Sequence, residues 1–364
     1  MNFSELNASV DALADQAIRT TRAGDLRAGL GLARHAVRLG RAEGDAQLLY
    51  ALNALGLVQG ACGLFIESIA SCIDAYALAQ RVKDLRAALH AAVTAAGAGT
   101  FILEAGDVTE ALLARCTDES KRLGDDALLV RIDNTYGIYY LNHRRFEEGI
   151  AAYARALKVE YEPDTRIWLF TPRYLVAGNL AYLHVQRAMS AAGSEEHAAQ
   201  VAIARERIEN ALRVTTEFGN VDAEARARFG LGVLLTHLGE FDAAISCYEH
   251  AVLLARRINH QPRQADSLLE MGKTLLAMGQ AASAIESFDD AYAVADSIRP
   301  TVSIPVICDE LAKAYALADR PREAAHYRAK AKKERELLAI ESAHAMCELT
   351  AFAENLDLAA LAPR

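Results

Sequence analysis

The sequence predicts an all-α protein made by stacking antiparallel helix hairpins. Three observations carry that prediction. Hydrophobic residues make up 52% of the 364, much of it alanine, and prolines number only 7. Alanine is the best helix former and proline the worst. A pattern of glycine, aromatic and alanine recurs at intervals of forty residues. Before three of these turns, a large apolar residue is followed by a small one that lies seven residues, or two helical turns, ahead of the turn residue.

The stretch LGEFDAAISCYEHAVLLA (238–255) defines the second helix of a hairpin, with Gly239 at the turn and Ala244, Tyr248 and Ala251 on one face. From the N-terminus, the series opens with Gly24 in AGDLRAGLGLARHAVRLG. CGLFIESIASCIDAYALA follows with Gly63, Phe65 and Ala75, then AGDVTEALLARCTDESKRLG with Gly106, Val108 and Ala111. HRRFEEGIAAYARALKV carries Phe146, Gly149, Tyr153 and Ala156. Forty residues beyond Gly239, MGQAASAIESFDDAYAVA repeats the pattern with Gly279, Ala284, Phe288 and Ala291. Forty further on, ADRPREAAHYRAKAKK has Asp319 in the glycine place and Ala324 in the small-residue place. The upstream helices carry Leu55-Gly56, Tyr136-Gly137, Leu180-Ala181, Leu231-Gly232, Met271-Gly272 and Leu311-Ala312. The interval from Ala181 to Gly232 is longer, at fifty-one, and the polar run from Ser190 to Ala199 predicts a loop between the helices of that repeat. The count is eight hairpins, with the first and last degenerate, as expected where a terminal repeat meets water.

The physics of the unit is direct. The first helix needs a small residue where the second crosses it closely. A turn glycine in the left-handed conformation ends the first helix with no Cβ penalty. The second helix then presents an alanine–aromatic–alanine stripe that packs against its neighbours. One hairpin cannot bury its own apolar face, whereas stacked hairpins can.

These residues resemble the tetratricopeptide repeat family, from about Ala12 to about Lys333. The spacing near forty exceeds the family's usual repeat of about 34 residues, which implies longer helices or connections. The tryptophan often found early in the first helix is absent, and Trp168 falls after EPDT, between repeats. The family's closing proline is clear only near Pro300. The resemblance implies a right-handed superhelical solenoid over residues 1–335. Residues 336–364 then form a C-terminal helix and tail, in which Leu338, Ala345, Leu349 and Phe352 make a second apolar stripe. A cap on the last repeat is the simpler reading of that helix. A homodimer through it, or a connector to a partner, is the alternative.

Composition limits the function classes. The net charge of −9 opposes nucleic-acid and membrane-surface binding unless a local basic patch intervenes. The segment MNFSELNASVDALADQ lacks the basic and apolar regions of a signal peptide. The nearest approach to a membrane span, Ala87–Leu103, is mostly Ala and Gly with His90 inside, and reads as an alanine-rich soluble helix. Six dispersed cysteines without a C-x-x-C pair suit reduced thiols in a cytoplasm.

No pattern of catalytic chemistry emerges. Gly97-Ala98-Gly99 lacks the third glycine and the preceding strand of a dinucleotide loop, and close helix packing explains it better. Cys247 and His250 have no second pair to complete a metal site. No metal or cofactor is therefore expected. Among Tyr136, Tyr139, Tyr140, Arg144 and Arg145, Tyr136 occupies a core place, and an exposed tyrosine beside two arginines would mark a contact site.

The resemblance implies that first helices line a concave groove that takes extended peptides or partner segments. On this basis the groove candidates are Arg131, Asn134 and Asn142, with Ile138 on the same face, then Arg173, Asn179, Tyr182 and Gln186. Arg226 and His237 follow, then Asp266 and Lys273. Such side chains can bond a peptide backbone or clamp a carboxylate. The expected function is non-catalytic binding of a protein or peptide. A regulatory or sensory module of a bacterial signalling system, acting on a partner such as a diguanylate cyclase, is the alternative.

Overall fold

The computed structural model describes residues 9–102, 105–160, 171–217, 219–298 and 303–361. Trp168, Pro300 and the end of the Ala87–Leu103 stretch lie outside the described residues. Sixteen α-helices and no strand occur among the described residues. The first eight are α1 (Val10–Arg22), α2 (Leu26–Glu43), α3 (Asp45–Ala61), α4 (Phe65–Val82), α5 (Leu85–Gly99), α6 (Gly106–Leu123), α7 (Asp126–Asn142) and α8 (Phe146–Lys158). The rest are α9 (Arg173–Ser190), α10 (His197–Glu217), α11 (Val221–His237), α12 (Phe241–Arg257), α13 (Gln261–Ala277), α14 (Ala281–Asp296), α15 (Ser303–Leu317) and α16 (Pro321–Glu354). They pair in order as eight hairpins of an all-α repeat solenoid. The polar run after Ser190 is the loop between α9 and α10.

Short polar side chains start the helices. Asp25, Asp84, Asp125 and Asn220 each accept a hydrogen bond from the backbone N–H three residues on, satisfying one orphan donor of the helix that follows. The turns follow the expected pattern with one exception. Gly24, Gly63, Gly239 and Gly279 have φ of 101, 79, 77 and 77°, and Asp319 in the glycine place has 55°. Gly106 does not terminate a helix but begins α6. Its open side is filled by His143, whose Nε2 lies 2.7 Å from where a Cβ would stand.

The glycine of four first helices faces a specific atom. A Cβ on Gly232 would stand 2.6 Å from the ring of Tyr248, one on Gly272 2.4 Å from Phe288, and one on Gly137 2.3 Å from Tyr153. The partners are sixteen residues apart in every case, and all three rings are fully buried. At Gly56 the same place is filled by Cys72 Sγ, at 2.8 Å.

The chain divides into two units, residues 1–176 with 341–364 and residues 177–340. In unit 1, Leu13, Ile18, Ile69, Leu89, Leu112 and Leu113 are fully buried. The end of α16 and the residues after it join this core through Ala345, Leu349, Phe352, Leu356 and Leu358. Helix α5 is buried on nearly every side, from Leu85 to Gly99. A helix covered all round is apolar all round, which is why this stretch comes closest to a membrane span in the sequence. Its His90 is satisfied by Asn53, at 3.0 Å.

In unit 2, Ala244, Tyr248, Ala284, Phe288, Ala291 and Leu311 are fully buried. A chain of hydroxyls ties successive repeats, from Tyr248 to Thr236 (3.2 Å) and from Thr236 to Thr274 (2.8 Å). The first part of α16 belongs here, with Ala324 and Ala331 in the core. The expected apolar stripe of the last helix is not continuous with Ala324 and Ala331 of the unit 2 core. Ala345, Leu349 and Phe352 pack in unit 1, while Leu338 is half-buried. Helix α16 itself is continuous through residue 335.

Candidate functional site

The first helices of unit 2 carry three polar stripes at helical spacing: Asn179, Tyr182 and Gln186 on α9, Asp222, Arg226 and Phe229 on α11, and Arg263, Asp266, Glu270 and Lys273 on α13. Intervals of three and four residues put each set on one face of its helix. Contacts join the stripes. Arg226 Nη1 donates to Asn179 Oδ1 at 2.7 Å, and the rings of Tyr182 and Phe229 lie 5.9 Å apart. Gln186 Nε2 donates to the Tyr182 hydroxyl at 2.9 Å. Lys273 pairs with Glu270 at 2.6 Å.

Asp222 is the hub between α11 and α13. Arg263 Nε donates to it at 3.1 Å, with Arg226 at 3.7 Å and His260 at 3.5 Å. Burial opposes its charge, but the guanidiniums of Arg263 and then Arg226 prevail and hold the carboxyl well below the usual range. His260 Nδ1 accepts the backbone N–H of Arg263 at 3.3 Å and caps α13. Burial, then Arg263, lowers its pKa to about 4, so the ring is neutral near pH 7 and free to accept. The Tyr182 hydroxyl is pushed up by burial and then by the carboxylates of Glu270 and Asp266. Charges on α13 thus act on a side chain of α9, across the intervening α11. The three stripes form one face with both signs of charge and an aromatic pair, suited to amide and carboxylate groups of a bound segment.

Asn179, Tyr182, Gln186, Arg226 and Lys273 thus come together. The candidates of unit 1 fall elsewhere. Arg131 Nη2 donates to Thr94 Oγ1 at 2.6 Å, and burial lowers its pKa to about 10. Asn134 is buried. Asn142 bonds the Thr100 carbonyl at 3.0 Å. Arg173 holds the carbonyl of Leu157 at 2.7 Å, at the end of α8. His237, in unit 2, turns to α10, where its ring meets His197 edge-on at 5.1 Å. In the tyrosine cluster the most buried ring is Tyr139, not Tyr136. Tyr139, Tyr140 and Arg145 all converge on Glu110, at 3.0, 3.3 and 3.0 Å. That cluster is bound up within unit 1, not presented as an open contact site.

Sequence reasoning missed Asp222 and Arg263. Asp222 lies four residues before Arg226, and Arg263 three before Asp266, so the spacing that selected the candidates points to both. It also missed an open cleft of about 420 Å³ in unit 1, lined by Asp11, Asp15, Tyr50, Asn53, Val82 and Asp84 among others. Tyr50 donates to Asp15 there at 2.6 Å. Among the described residues, no group of three or more His, Cys, Asp or Glu is arranged to hold a metal ion. None of the described helices is long and apolar enough to cross a membrane.

The sequence model of the tetratricopeptide repeat matches residues 224–297. No curated protein matches the sequence. Among solved structures, the APC/C hetero-tetramer Cut9-Hcn1 is similar with a TM-score of 0.57 at 12% identity, over 96% of this chain and 57% of that one. A Rap protein complexed with Competence and Sporulation Factor gives 0.53 at 13% identity, over 94% and 80%. BtubC from P. vanneervenii gives 0.48 at 17%, over 64% and 90%. The first two likenesses are likenesses of fold. The match over α11 to α14 identifies residues 224–297 as tetratricopeptide repeats, and the recurring glycine–aromatic pairs extend the same hairpin packing to α7 and α8.

Proposed function

We propose that the chain is a non-catalytic scaffold that binds a protein or peptide segment on the first-helix face of unit 2. The observation that supports this is the joined stripe of Asn179, Tyr182, Arg226, Phe229, Asp266 and Lys273. Tyr182, Arg226, Phe229, Asp266 and Lys273 are partly or fully exposed across three successive hairpins, and Asn179, buried to the same extent as Asn134, accepts a hydrogen bond from Arg226. Tyr182 and Phe229 supply aromatic area, and Arg226 and Lys273 supply charge that fixes register. Two structures of this fold are described as complexes, a Rap protein with Competence and Sporulation Factor and the APC/C hetero-tetramer Cut9-Hcn1. The exposed carboxylate of Asp266 beside the Lys273–Glu270 pair favours a segment with both donors and acceptors over one of a single charge.

The test is selection from a displayed library of random peptides against the full chain. Selected peptides should bind the Tyr182→Ala and Arg226→Ala proteins at least ten-fold more weakly. Lys273→Ala should weaken binding while leaving stability within about 0.5 kcal/mol, because it removes only a surface pair. If all three variants bind the selected peptides as the parent does, the assignment of this face is wrong.

A further inference from the structure

The charges on the first-helix face of unit 2 do not all find partners within it. The stripes on α11 and α13 hold three carboxylates, Asp222, Asp266 and Glu270, and three cations, Arg226, Arg263 and Lys273. Asp222 engages two of the cations, Arg263 at 3.1 Å and Arg226 at 3.7 Å. Glu270 engages the third, Lys273, at 2.6 Å. Asp266 keeps one hydroxyl, Ser303 Oγ at the start of α15, which donates to it at 3.3 Å. Among the described residues Asp266 forms no ion pair.

Asp266 is exposed to solvent, but the surrounding protein still disfavours its charge. Burial pushes its carboxyl up to about 6, and the Glu270 carboxylate adds to the push, against the distant pull of Arg263 and Lys273 and the hydroxyl of Ser303. Asp222, beside two guanidiniums, is moved the other way. A carboxylate that is partly desolvated and lacks a counter-ion gains most from a cation brought to it.

Aromatic surface lies next to this carboxylate. Tyr182 of α9 leans over α11, its ring 3.5 Å from where a Cβ on Gly230 would stand. Its hydroxyl feels the charges of Glu270 and Asp266 on α13. The Phe229 ring lies 5.9 Å from it, and both rings are half-buried, so each leaves part of its surface open. A long basic side chain matches such a place. Its head pairs with the carboxylate while its stem and its charge lie along the rings.

We propose that Asp266 selects the bound segment by pairing with a lysine or arginine side chain that lies along Tyr182 and Phe229. This rests on the reading of that face as the binding surface, and adds to it the chemical class of one anchoring residue. Asp222 and Glu270 do not serve in this way, because the protein's own cations already engage them.

The probes are short peptide libraries with acetylated and amidated ends, random over uncharged residues except for a fixed central Lys, Arg, Glu or Ala, applied to the full chain. The Lys and Arg libraries should be retained about ten-fold more than the Glu and Ala libraries, the scale of one hydrogen-bonded charge pair. Asp266→Asn should remove that preference, and Asp266→Lys should turn it towards Glu. Urea midpoints of the parent and the Asp266→Asn protein should agree, which separates lost recognition from a lost fold. Tyr182→Ala should lower retention of every library that binds, and so reports on the face itself. Peptides that depend on Tyr182 but show no preference for a basic centre, or a preference that survives Asp266→Asn, overturn the role of Asp266 and leave the face standing. Retention of no library, or retention indifferent to Tyr182→Ala, overturns both.

Discussion

In unit 2 the first helices α9, α11 and α13 keep a joined polar stripe, whereas in unit 1 the first helix α5 is buried on nearly every side. The two units start from the same hairpin. Unit 2 closes it with local, repeated locks, Gly232 against Tyr248 and Gly272 against Phe288. Unit 1 adds a contact from far along the chain, Leu349 Cδ2 standing 2.7 Å from where a Cβ on Gly99 would lie. Stability drawn from neighbours leaves the first-helix face of unit 2 partly exposed. Stability drawn from a distant segment uses up the corresponding surface of unit 1.

The strongest test of this contrast is Leu349→Ala. Removing a fully buried leucine should cost about 3 kcal/mol, and the loss should be confined to unit 1. Hydrogen exchange should accelerate in α5 and α6 and stay unchanged in α11 to α14. Acceleration throughout both units would break the distinction between local and long-range support.

The locks themselves come next. Gly272→Ala places a methyl against the Phe288 ring and should cost about 2 kcal/mol in urea unfolding. Gly279→Ala, at φ 77° with open space around it, should cost only about 1 kcal/mol. Pairing Gly272→Ala with Phe288→Leu should recover part of the first loss and none of the second. No recovery would mean that the ring does not set the need for glycine.

A further effect separates the units by pH. Burial, with Arg207 and Arg187, holds His184 at about 4, and burial with Arg263 holds His260 at about 4. Both residues lie in unit 2. An unfolded chain protonates histidine near a pKa of about 6.5. Between these values the unfolded state binds protons that the folded state refuses, so stability falls as pH drops from about 6.5 to about 4. Proton linkage sets the loss at up to about 2 kcal/mol per histidine by pH 5. Urea midpoints at pH 7 and pH 5 should show it, and His184→Gln should reduce the slope. An unaltered slope would remove His184 from the account.

The order of the hairpins was legible because each is specified within forty residues. Turn residue, small residue and ring all lie within one helical pair, and periodicity reports them. The seating of the last helix was not legible. Arg115 donates to the Leu356 carbonyl across most of the chain, and an apolar stripe such as Ala345, Leu349 and Phe352 says that it is covered but not by what. The face proposed in unit 2 follows from spacing, because Asn179, Tyr182, Gln186, Arg226 and Lys273 lie on regular helices in register. In unit 1 residues of the same spacing bond to neighbouring helices. Arg131 and Asn142 are drawn to Thr94 and Thr100 of α5, and Arg173 to the end of α8. A polar residue in the right register can serve its neighbour as readily as a ligand, and spacing alone does not separate the two.

Arg144 stands where hairpins such as α11–α12 and α13–α14 place a turn glycine and takes φ 57° without being one. Its hairpin nonetheless keeps Gly137 beneath the ring of Tyr153. The turn is thus a tolerant position, where a wrong residue costs roughly 1 kcal/mol, while the paired glycine and ring are sterically bound to each other. In evolutionary terms, drift should erase the turn glycine first and the sixteen-residue pairing last. A search for worn repeats keyed to the turn would pass over the α7–α8 hairpin, and one keyed to the pair would find it.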